Sequence, residues 1–442
     1  MTHPVPDRPV VVVGAGIAGL TAAWELRRLG LPVVVVDPSS RAGGRIDSVR
    51  TRVGPIEVGM QFYYTAYRVL EGLLDETGLG EERRPVHFRG LMARGGRRAS
   101  FWKKFPWLPI LSPAENLRVW GAFGREAHAL LVADPFDFPA DDPLDEVDVA
   151  EHFRRHGGEA VLDLVARPLT TSYCFAEPEG QSLAMLLRIV KLGAIAETFA
   201  LSCGNDALPR RMAERLPAIR GRAHEIRLRG GRAVGVVVDR DGALESIEAS
   251  AVVSAVPAPR AAELLRGDRA LAESLARIPY SDIVLAHLHL DRPLPDPAFT
   301  YVFSRSDGRS AAFAIDAKRK CPWAIDGDRS ILQLHFPSPL ARELLSATDG
   351  EVLARAVEDA RTFFPDIRSW IVDSDVHRRP EAVPSFECGV FRRIRAAERE
   401  AGRIEGLQLA GDYLRAPLAE GAARSGLAAA ERIARAPRAS GE

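Results

Sequence analysis

The stretch PVVVVGAGIAGLTAAWELRRLGLPVVVVDPSSRAGGR, residues 9–45, decides the fold of this 442-residue chain. It contains two all-valine runs, residues 10–13 and 33–36, separated by a helical pattern over residues 17–29. Short runs of branched apolar residues are typical of strands that are buried on both faces, as in parallel sheets. The stretch therefore predicts a strand, a helix and a second parallel strand, which is the repeating unit of doubly wound α/β folds.

A glycine pattern and an acid occupy the turns of this unit. Three glycines follow the first strand as G-x-G-x-x-G, and an aspartate ends the second strand eighteen residues after the last of them. Such glycines allow a tight turn, a close approach of backbone to a pyrophosphate, and close packing of helix on strand, and the acid accepts ribose hydroxyls. The start of the helix points its free N–H groups at the phosphates. The predicted dinucleotide-binding residues here are Gly14, Ala15, Gly16, Ile17, Ala18, Gly19 and Asp37.

A second glycine-rich run, Arg41-Ala42-Gly43-Gly44-Arg45, directly follows the acid. Its paired glycines let the backbone wrap around a pyrophosphate again, and Arg45 can donate two parallel hydrogen bonds to it. This R-x-G-G-R run resembles the superfamily of flavin-containing amine oxidases, protoporphyrinogen oxidases and phytoene desaturases. The resemblance implies that the dinucleotide is FAD and not NAD, and that Arg41, Gly43, Gly44 and Arg45 contribute to its site.

The far end of the chain extends the resemblance. Residues 406–433 read GLQLAGDYLRAPLAEGAARSGLAAAERI, a short apolar strand that stops at a Gly-Asp pair and a loop that leads into a helix of small residues. In the superfamily that pair meets the ribityl-phosphate region of the flavin. The helix points its positive end at the flavin ring, where it stabilises the negative charge of a reduced flavin. The resemblance adds Gly411, Asp412, Ala419, Glu420 and Ala422 to the predicted site.

Two further contacts come from the same comparison. Gly59 and Met60 follow a predicted strand over residues 56–58, and the matching turn of the superfamily lies beside the flavin ring. The backbone at Ala223, where the superfamily usually has valine, is expected to meet the adenine.

These segments are far apart in the chain, so the flavin domain is predicted to be discontinuous. It takes residues 1–85, 204–260 and 386–442, and the insertions 86–203 and 261–385 pair to form a substrate domain. The predicted fold is therefore α/β, with a Rossmann-like FAD-binding domain and an inserted α+β substrate domain.

Periodicity gives a coarse structure within these pieces. Residues 204–260 are predicted to form a small antiparallel sheet, with strands at 223–226, 233–239 and 247–256. The first insertion is mostly helical by pattern, with one helix over residues 182–200. The second insertion begins with a strand over residues 283–290.

Composition excludes several classes of protein. Lys and Arg number 59 and so do Asp and Glu, so no broad basic field indicates a nucleic-acid partner. The chain has no run of about 18 apolar residues that would span a bilayer. Its cysteines, Cys174, Cys203, Cys321 and Cys388, have neither metal-site nor disulfide spacing. Isolated thiols suit a reducing cytosol, so a cytoplasmic protein without a metal site is expected.

One position bears on the reaction. Many amine oxidases of the superfamily place a lysine after the valine–proline segment, where it holds a water against the flavin. Aligned on Pro279, that position is Leu285, and no lysine occurs between Lys191 and Lys318. The resemblance therefore favours dehydrogenation of an apolar or conjugated small molecule, isoprenoid-like or porphyrinogen-like, by hydride transfer to flavin N5. Oxygen or a quinone is the expected electron acceptor.

Three alternatives stay open at this point. The chain could be a flavin amine oxidase with an atypical site, or a flavin-dependent isomerase that catalyses no net redox change. It could also hold FAD only as a structural support, although two long insertions are large for a scaffold.

No catalytic residue can be named from the sequence, but four side chains are candidates for the reaction chamber. Gln61 and Tyr63 follow the Gly59 turn, and Tyr173 follows a helix broken by proline. His287 shares one face of a predicted strand with His289. The tyrosines could instead fill an interface between domains, and the histidines could be bases, a metal pair or simply hydrogen-bonded polar residues.

The segment FWKKFPWLPIL, residues 101–111, mixes aromatic residues with two lysines. Tryptophan and lysine together suit the headgroup boundary of a membrane, so a peripheral membrane contact is predicted here. A buried lid over the substrate cavity is the alternative.

Overall fold

The structure is a computed structural model and describes residues 8–52, 54–102, 107–325 and 327–436. Residues 103–106, inside the segment predicted to contact a membrane, lie outside the described residues. None of the described helices combines the length and the hydrophobicity that crossing a bilayer requires.

The elements of the described part alternate between strands and helices through much of the chain. The strands are β1 (Val10–Val13), β2 (Val33–Asp37), β3 (Ser48–Thr51), β4 (Gly54–Glu57), β5 (Tyr63–Tyr64), β6 (Arg83–Val86), β7 (Gly90–Arg94), β8 (Arg97–Phe101), β9 (Thr198–Leu201), β10 (Ala218–Arg220), β11 (Arg222–Arg229), β12 (Arg232–Arg240), β13 (Ala243–Glu248), β14 (Ala251–Ser254), β15 (Tyr280–Leu290), β16 (Thr300–Val302), β17 (Phe313–Asp316), β18 (Ser330–Pro337), β19 (Ile371–Pro384) and β20 (Leu407–Leu409). The helices are α1 (Ile17–Arg28), α2 (Arg68–Glu76), α3 (Pro113–Gly124), α4 (Ala127–Val132), α5 (Val149–His156), α6 (Glu159–Val161), α7 (Arg167–Tyr173), α8 (Leu183–Ile195), α9 (Ala207–Ala213), α10 (Ala258–Leu264), α11 (Arg269–Ala276), α12 (Ala317–Lys320), α13 (Leu340–Leu344), α14 (Asp349–Ala360), α15 (Val390–Ala401) and α16 (Ala419–Arg435).

A parallel five-stranded sheet carries the N-terminal unit, in the order β10–β2–β1–β14–β20. The four valines of β1 are buried, and they pair in register with β2 on one side and with β14 on the other. Such strands are covered on both faces, which is why they read as continuous apolar runs. The α/β prediction is confirmed. The strands of this sheet fall inside the predicted flavin segments, whose boundaries stay a prediction.

Residues 247–256 do not form one strand of an antiparallel sheet, and that prediction was wrong. β13 is the edge of the three-stranded sheet β11–β12–β13, and its side chains are mostly exposed. β14 is fully buried and pairs in parallel with β1 and β20. The chain changes sheets at residues 249–250 because a strand that is apolar on both faces needs cover on both faces.

The two ends of the chain meet where α1 packs against α16. A Cβ atom on Gly426 of α16 would overlap the carbonyl oxygen of Ala18 in α1 and would lie 3.1 Å from the backbone nitrogen of Ala22. The helices can approach this closely only because residue 426 has no side chain. The small residues of α16 therefore serve helix packing as well as the cavity described below.

The largest sheet of the described residues has seven strands, in the order β19–β15–β18–β17–β16–β7–β8. Its pairs are antiparallel except for β16 and β7. One face of β15 and β18 packs against α13 and α14 in an apolar core that includes Val284, Leu288, Leu334 and Phe336. The strand predicted over residues 283–290 lies within β15. The helix predicted over residues 182–200 ends earlier, because α8 stops at Ile195 and β9 follows.

We expect Gly426→Ala to lower the midpoint of urea unfolding, because overpacking a helix contact costs about 1–3 kcal/mol. Gly121→Ala, in the middle of α3 with open space around its Cβ position, is the matched control. It should leave the midpoint unchanged or raise it, since alanine favours a helix by up to about 1 kcal/mol over glycine. Equal midpoints for Gly426→Ala and Gly121→Ala would contradict the close packing of α1 on α16.

Candidate active site

A cavity of about 1140 Å³ lies between the parallel sheet and the seven-stranded sheet, lined by residues of both. The residues predicted to bind the cofactor that line this cavity are Gly14, Gly16, Ile17, Ala18, Asp37, Gly43, Gly44, Arg45, Gly59, Met60, Gly411, Asp412, Ala419 and Ala422. They come from two regions of the chain, residues 14–60 and 411–422, which are separated by about 350 residues. The structure thus brings together on one wall most of the residues selected from the two ends of the sequence.

The three glycines of the first turn are required for different reasons. A Cβ atom on Gly14 would lie 2.7 Å from the carbonyl oxygen of Ala255, and one on Gly19 would overlap the carbonyl oxygen of Gly14. Gly16 has an ordinary φ of −70°, and no atom of the described residues lies within 4 Å of the position its Cβ would take. Protein packing therefore explains Gly14 and Gly19 but not Gly16, which faces open cavity.

The second glycine-rich run lies directly beside the first. The N–H of Gly43 donates to the carbonyl of Ala15 at 2.9 Å, and a Cβ atom on Gly44 would lie 3.3 Å from the Cα of Gly16. The two runs form one backbone cradle at the N-terminus of α1, where unpaired N–H groups favour an anion. This geometry fits the pyrophosphate of a dinucleotide, because the protein backbone can approach a ligand closely where no side chain projects.

Asp37 lies at the end of β2, as the sequence predicts, and lines the cavity. Its carboxylate accepts the N–H of Ala15 at 2.7 Å and the N–H of Ser39 at 2.8 Å. The side chain thus fixes the first glycine turn through its hydrogen bond to Ala15. The prediction that it accepts ribose hydroxyls is not tested by these contacts.

Arg45 and Asp412 form an ion pair rather than separate ligands. The guanidinium Nη1 and Nη2 atoms donate to the two carboxylate oxygens at 2.7 and 2.9 Å, and Nη1 also donates to the carbonyl of Ala382 at 3.0 Å. The pair joins the N-terminal glycine run to the C-terminal Gly-Asp turn. The donors of Arg45 that the sequence assigned to a pyrophosphate are therefore directed at Asp412.

Five residues assigned to the cofactor do not line the cavity: Ala15, Gly19, Arg41, Ala223 and Glu420. Arg41 pairs with Asp47 at 2.9 Å. The carbonyl of Ala223 accepts from Arg260 at 2.8 Å. Both positions are thus held by contacts within the protein, and the cofactor contacts predicted for them stay predictions.

Glu420 shows most clearly how burial redirects a predicted site residue. Its carboxylate accepts the backbone N–H groups of Val69 and Leu70 at 3.0 and 3.1 Å, which caps the N-terminus of α2. Burial raises the pKa of Glu420 above its ordinary value, although these bonds and Arg424 oppose the shift. The side chain ties α16 to α2 and points away from the cavity wall.

Of the four candidates for the reaction chamber, Gln61 and Tyr173 line the cavity, whereas Tyr63 and His287 do not. Tyr63 lies in β5, so it and Tyr64 point to opposite sides. The hydroxyl of Tyr63 donates to the carbonyl of Asn205 at 3.0 Å, and Tyr64 takes the cavity position with its hydroxyl 2.8 Å from that of Tyr173. The sequence identified the correct turn but the wrong one of two adjacent tyrosines.

His287 is fully buried. It lies beside Gln333 on the face of the sheet that β4 covers. Gln333 donates to the carbonyl of Glu57 at 3.1 Å, which holds this face of the sheet against β4. The Nδ1 atom of His287 lies 2.8 Å from Asp375, and His289 and His377 lie 2.6 and 2.8 Å from the same carboxylate. Burial lowers the pKa of His287, so its imidazole is neutral.

These histidines and Asp375 form a cluster at the edge of the sheet. His287, Asp375 and His377 are near enough to one another to share a metal ion. Burial opposes the charged form of Asp375, but the three imidazoles beside it hold the pKa of its carboxyl well below the ordinary value. Of the three, His289 makes an aligned hydrogen bond to Asp375. The Nδ1 atom of His287 and the Oδ1 atom of Asp375 lie close together but have no aligned hydrogen-bond partner among the described residues.

A buried polar group that the sequence did not predict adjoins Gln61. Lys320 of α12 donates to the side-chain oxygen of Gln61 at 2.6 Å. The nearby Glu57 accepts from the backbone of Asn205 and from Ser48. Burial raises the pKa of Glu57 to about 7, although Lys320 and the two hydrogen bonds oppose the shift. Because Lys320 is distant from Gln61 in sequence, no local pattern could have identified this contact.

Five side chains that pair side by side across the seven-stranded sheet form part of the cavity wall. They come from β15, β18, β17, β16 and β7, and all of them line the cavity: Leu285, His335, Phe313, Val302 and Met92. Leu285, which the sequence predicts to stand at the lysine position of many amine oxidases, is thus an apolar wall residue. His335 was not predicted, although this polar residue lies within the largely apolar strand β18 and gives a local signal there.

Comparisons with known proteins agree with this geometry. Residues 17–434 match the family described as flavin containing amine oxidoreductase. Coproporphyrinogen III oxidase of Mycobacterium leprae (strain TN) is 28% identical and aligns with 92% of this chain and 94% of its own length. The chloroplastic and chromoplastic 15-cis-phytoene desaturase of Narcissus pseudonarcissus is 24% identical over 93% of this chain and 76% of its own.

A solved structure gives the same result for the fold. Cyclohexylamine oxidase from Brevibacterium oxydans IH-35A has a TM-score of 0.79 at 19% identity, covering 97% of this chain and 99% of its own. The prediction of the superfamily and of FAD as cofactor is confirmed. The chain belongs to the flavin-containing amine oxidoreductase family and is an FAD-dependent oxidoreductase.

Proposed function

We propose that this chain uses FAD to dehydrogenate an apolar or conjugated small molecule that is porphyrinogen-like or isoprenoid-like. The observation that carries the proposal is the set of five side chains across the sheet at the cavity wall, of which four are apolar. One of the four is Leu285, the residue that the sequence aligns with the lysine of many amine oxidases. The cavity of about 1140 Å³ is larger than the ~300–1,000 Å³ of most small-molecule pockets. It therefore has room for a cofactor and a bulky substrate together.

In this proposal the backbone cradle at Gly16 and Gly44 holds the pyrophosphate of FAD. The open space in front of Gly16 is the main support, because no protein packing requires a glycine there. The N-terminus of α16, with Ala419 and Ala422 on the wall, would stabilise negative charge on the ring system of the bound cofactor. When bound, FAD supplies a two-electron acceptor for a hydride.

The residues around the substrate space then orient the substrate and exclude water. Phe313, Phe299 and Phe88 line the cavity, and Phe88 packs edge-on against Phe299 with ring centroids 5.4 Å apart. Aromatic walls bury a large apolar area and suit a planar or polyene ligand. The relatives named for coproporphyrinogen and phytoene agree with this class of substrate. Oxygen or a quinone is the proposed electron acceptor.

The substrate is proposed to enter from a lipid surface. A group of exposed large apolar side chains, here called the apolar collar, consists of Trp102, Trp107, Leu117, Trp120, Leu131, Val132 and Ile195.

Two members of the apolar collar connect it to the cavity. Trp102 and Trp120 are 50% and 52% exposed and also line the cavity. Exposed apolar patches of this kind occur at membrane and partner interfaces, and the guanidinium of Arg89 lies 4.7 Å from the Trp102 ring. A collar that joins lipid to the cavity would let an apolar substrate avoid water. It extends the contact predicted for residues 101–111 onto α3, α4 and the end of α8.

The proposed pyrophosphate site at the backbone cradle can be tested with Gly16→Ala. The added methyl group has room in the protein but would occupy the proposed pyrophosphate position. We therefore expect FAD affinity to fall about tenfold or more, a loss of at least ~1.4 kcal/mol. Gly72→Ala in α2 is the control, since its Cβ position is equally open. Equilibrium titration of the apoproteins with FAD measures both. An unchanged FAD affinity in Gly16→Ala would contradict the proposed pyrophosphate position.

The substrate class can be tested by anaerobic reduction of the bound flavin. We expect the visible flavin absorption to bleach with coproporphyrinogen III or with phytoene, and the product to have lost two hydrogens by mass spectrometry. Bleaching with putrescine or cyclohexylamine alone would replace the proposal by an amine oxidase. Product of unchanged mass would replace it by an isomerase. Reoxidation of the bleached enzyme in air or with a soluble quinone identifies the acceptor.

The apolar collar can be tested by sedimentation with vesicles of phosphatidylcholine and phosphatidylglycerol. We expect the double variant Leu117→Glu with Leu131→Glu to reduce binding about tenfold or more, since a buried leucine contributes about 1.5–3 kcal/mol. Neither residue lines the cavity, so turnover of detergent-dispersed substrate should stay unchanged. Leu244→Glu and Val372→Glu, equally exposed but outside the collar, are the controls. Vesicle binding that is equal in all variants would exclude the collar.

A further inference from the structure

Two histidines and one aspartate at the edge of the seven-stranded sheet lack the hydrogen bonds that their separations would allow. The Nδ1 atom of His287 and the Nε2 atom of His377 each lie 2.8 Å from the Oδ1 atom of Asp375. Among the described residues, neither this Oδ1 atom nor Nδ1 of His287 has an aligned hydrogen-bond partner. Three potential ligand atoms therefore lie within 4.8 Å of one another without satisfying one another.

The poor alignment of these atoms is what a shared metal ion requires. In a hydrogen bond the imidazole N–H points at the oxygen, so that nitrogen, hydrogen and oxygen lie nearly on one line. A metal ion instead occupies the direction of the nitrogen lone pair, ~2.0–2.1 Å from each ligand atom, so the oxygen lies to one side of that direction. The present separations need to widen by only roughly 0.5 Å to reach the spacing of tetrahedral ligands.

An ion can reach this group from solvent. The side chains of Asp375 and His377 are 37% and 24% exposed, although His287 is fully buried. Both exposed ligands belong to β19, which is the edge strand of the sheet and pairs there only with β15 among the described strands. An edge strand can make the small movement that the ion needs. The ion would bind between atoms that now cover one another, so it needs no prior opening to His287.

Neighbouring side chains offer the outer contacts of a metal site, in which ligating carboxylates and imidazoles are themselves hydrogen-bonded. His289 donates to Oδ2 of Asp375 at 2.6 Å and leaves Oδ1 for an ion. The amide nitrogen of Gln333 lies 3.4 Å from Nε2 of His287, and the amide oxygen has no partner among the described residues. A turn of this amide would present its oxygen to the Nε2–H of a ligating His287, in exchange for its bond to Glu57.

We propose that His287, Asp375 and His377 bind one divalent transition-metal ion, and that Zn²⁺ suits them best. Imidazole nitrogen and carboxylate oxygen are both common zinc ligands, whereas Mg²⁺ and Ca²⁺ take oxygen ligands. Three protein ligands leave a fourth position, which water can fill on the exposed side of Asp375. The ion would join the edge strand β19 to β15 beside Leu285, which pairs with His377 in register. This inference does not depend on the proposed dehydrogenation.

The first measurement is calorimetric titration of the metal-free, full-length holoenzyme with Zn²⁺. We expect one site per chain with a Kd of about 1 μM or lower, and binding at least about 100-fold weaker in Asp375→Asn and in His377→Gln, since even the outer partners of a metal site contribute about 10–100-fold. Both substitutions alter partly exposed side chains, so the fold should persist. Mg²⁺ should not bind. A wild-type protein that does not bind Zn²⁺, or equal affinity in Asp375→Asn and His377→Gln, would overturn the inference.

A second pair of histidines provides the matched control. The rings of His152 and His156 in α5 lie 5.0 Å apart, so they test for zinc binding by neighbouring histidines elsewhere in the protein. The double variant His152→Gln with His156→Gln should bind Zn²⁺ as the wild type does. His289→Gln keeps all three ligands but loses the bond to Oδ2 of Asp375, and we expect about tenfold weaker binding. Loss of the site in the α5 double variant would overturn the assignment.

X-ray absorption at the zinc edge identifies the ligands of the bound ion. The holoenzyme loaded with one equivalent of Zn²⁺ should show nitrogen and oxygen ligands at ~2.0–2.1 Å, with the outer scattering of two imidazole rings. Sulfur at ~2.3 Å would assign the ion to a cysteine and overturn the inference. Scattering from fewer than two imidazole rings would also overturn it, because the proposed site has two histidine ligands.

Discussion

The ion pair between Arg45 and Asp412 closes a loop of 367 residues and joins the two ends of the chain. The same closure is made at backbone level, where α16 contacts α1 at Gly426 and Ala18. Because each end contributes part of one cavity wall, neither end forms the site alone. The order of the parallel sheet, in which β1 lies between β2 and β14 and β20 follows, depends on this closure.

Several charged residues near the predicted cofactor region bind one another. Arg45 pairs with Asp412, Arg41 with Asp47, and Glu420 caps α2. Ionised groups that leave water are stable only when paired and hydrogen-bonded. The anion-binding capacity of the cradle therefore comes mainly from backbone N–H groups and the dipole of α1. Side chains fix the position of that backbone.

The cavity has two chemically different walls. The parallel sheet supplies glycines, backbone amides and helix termini, which suit a phosphate-containing cofactor. The seven-stranded sheet supplies five side chains in register across its strands, of which only His335 is polar, and such a wall suits an apolar substrate. Redox specificity in such a site is set by what the second wall positions near the cofactor. The apolar collar continues this second wall to the surface.

The sequence by itself determined the βαβ unit, the family, the cofactor and most of the wall at Gly14–Gly16, Gly43–Gly44 and Gly411, because these depend on local turn geometry. It also predicted that Leu285 stands where many amine oxidases of the superfamily have a lysine. Only the tertiary structure decided which side chains reach the cavity: Tyr64 instead of Tyr63, and His335 instead of His287. The register of the strands decides which side chains share a face, and β4 covers the part of that face that carries His287 and Gln333. Both arise from contacts between residues distant in the chain, which local periodicity cannot encode.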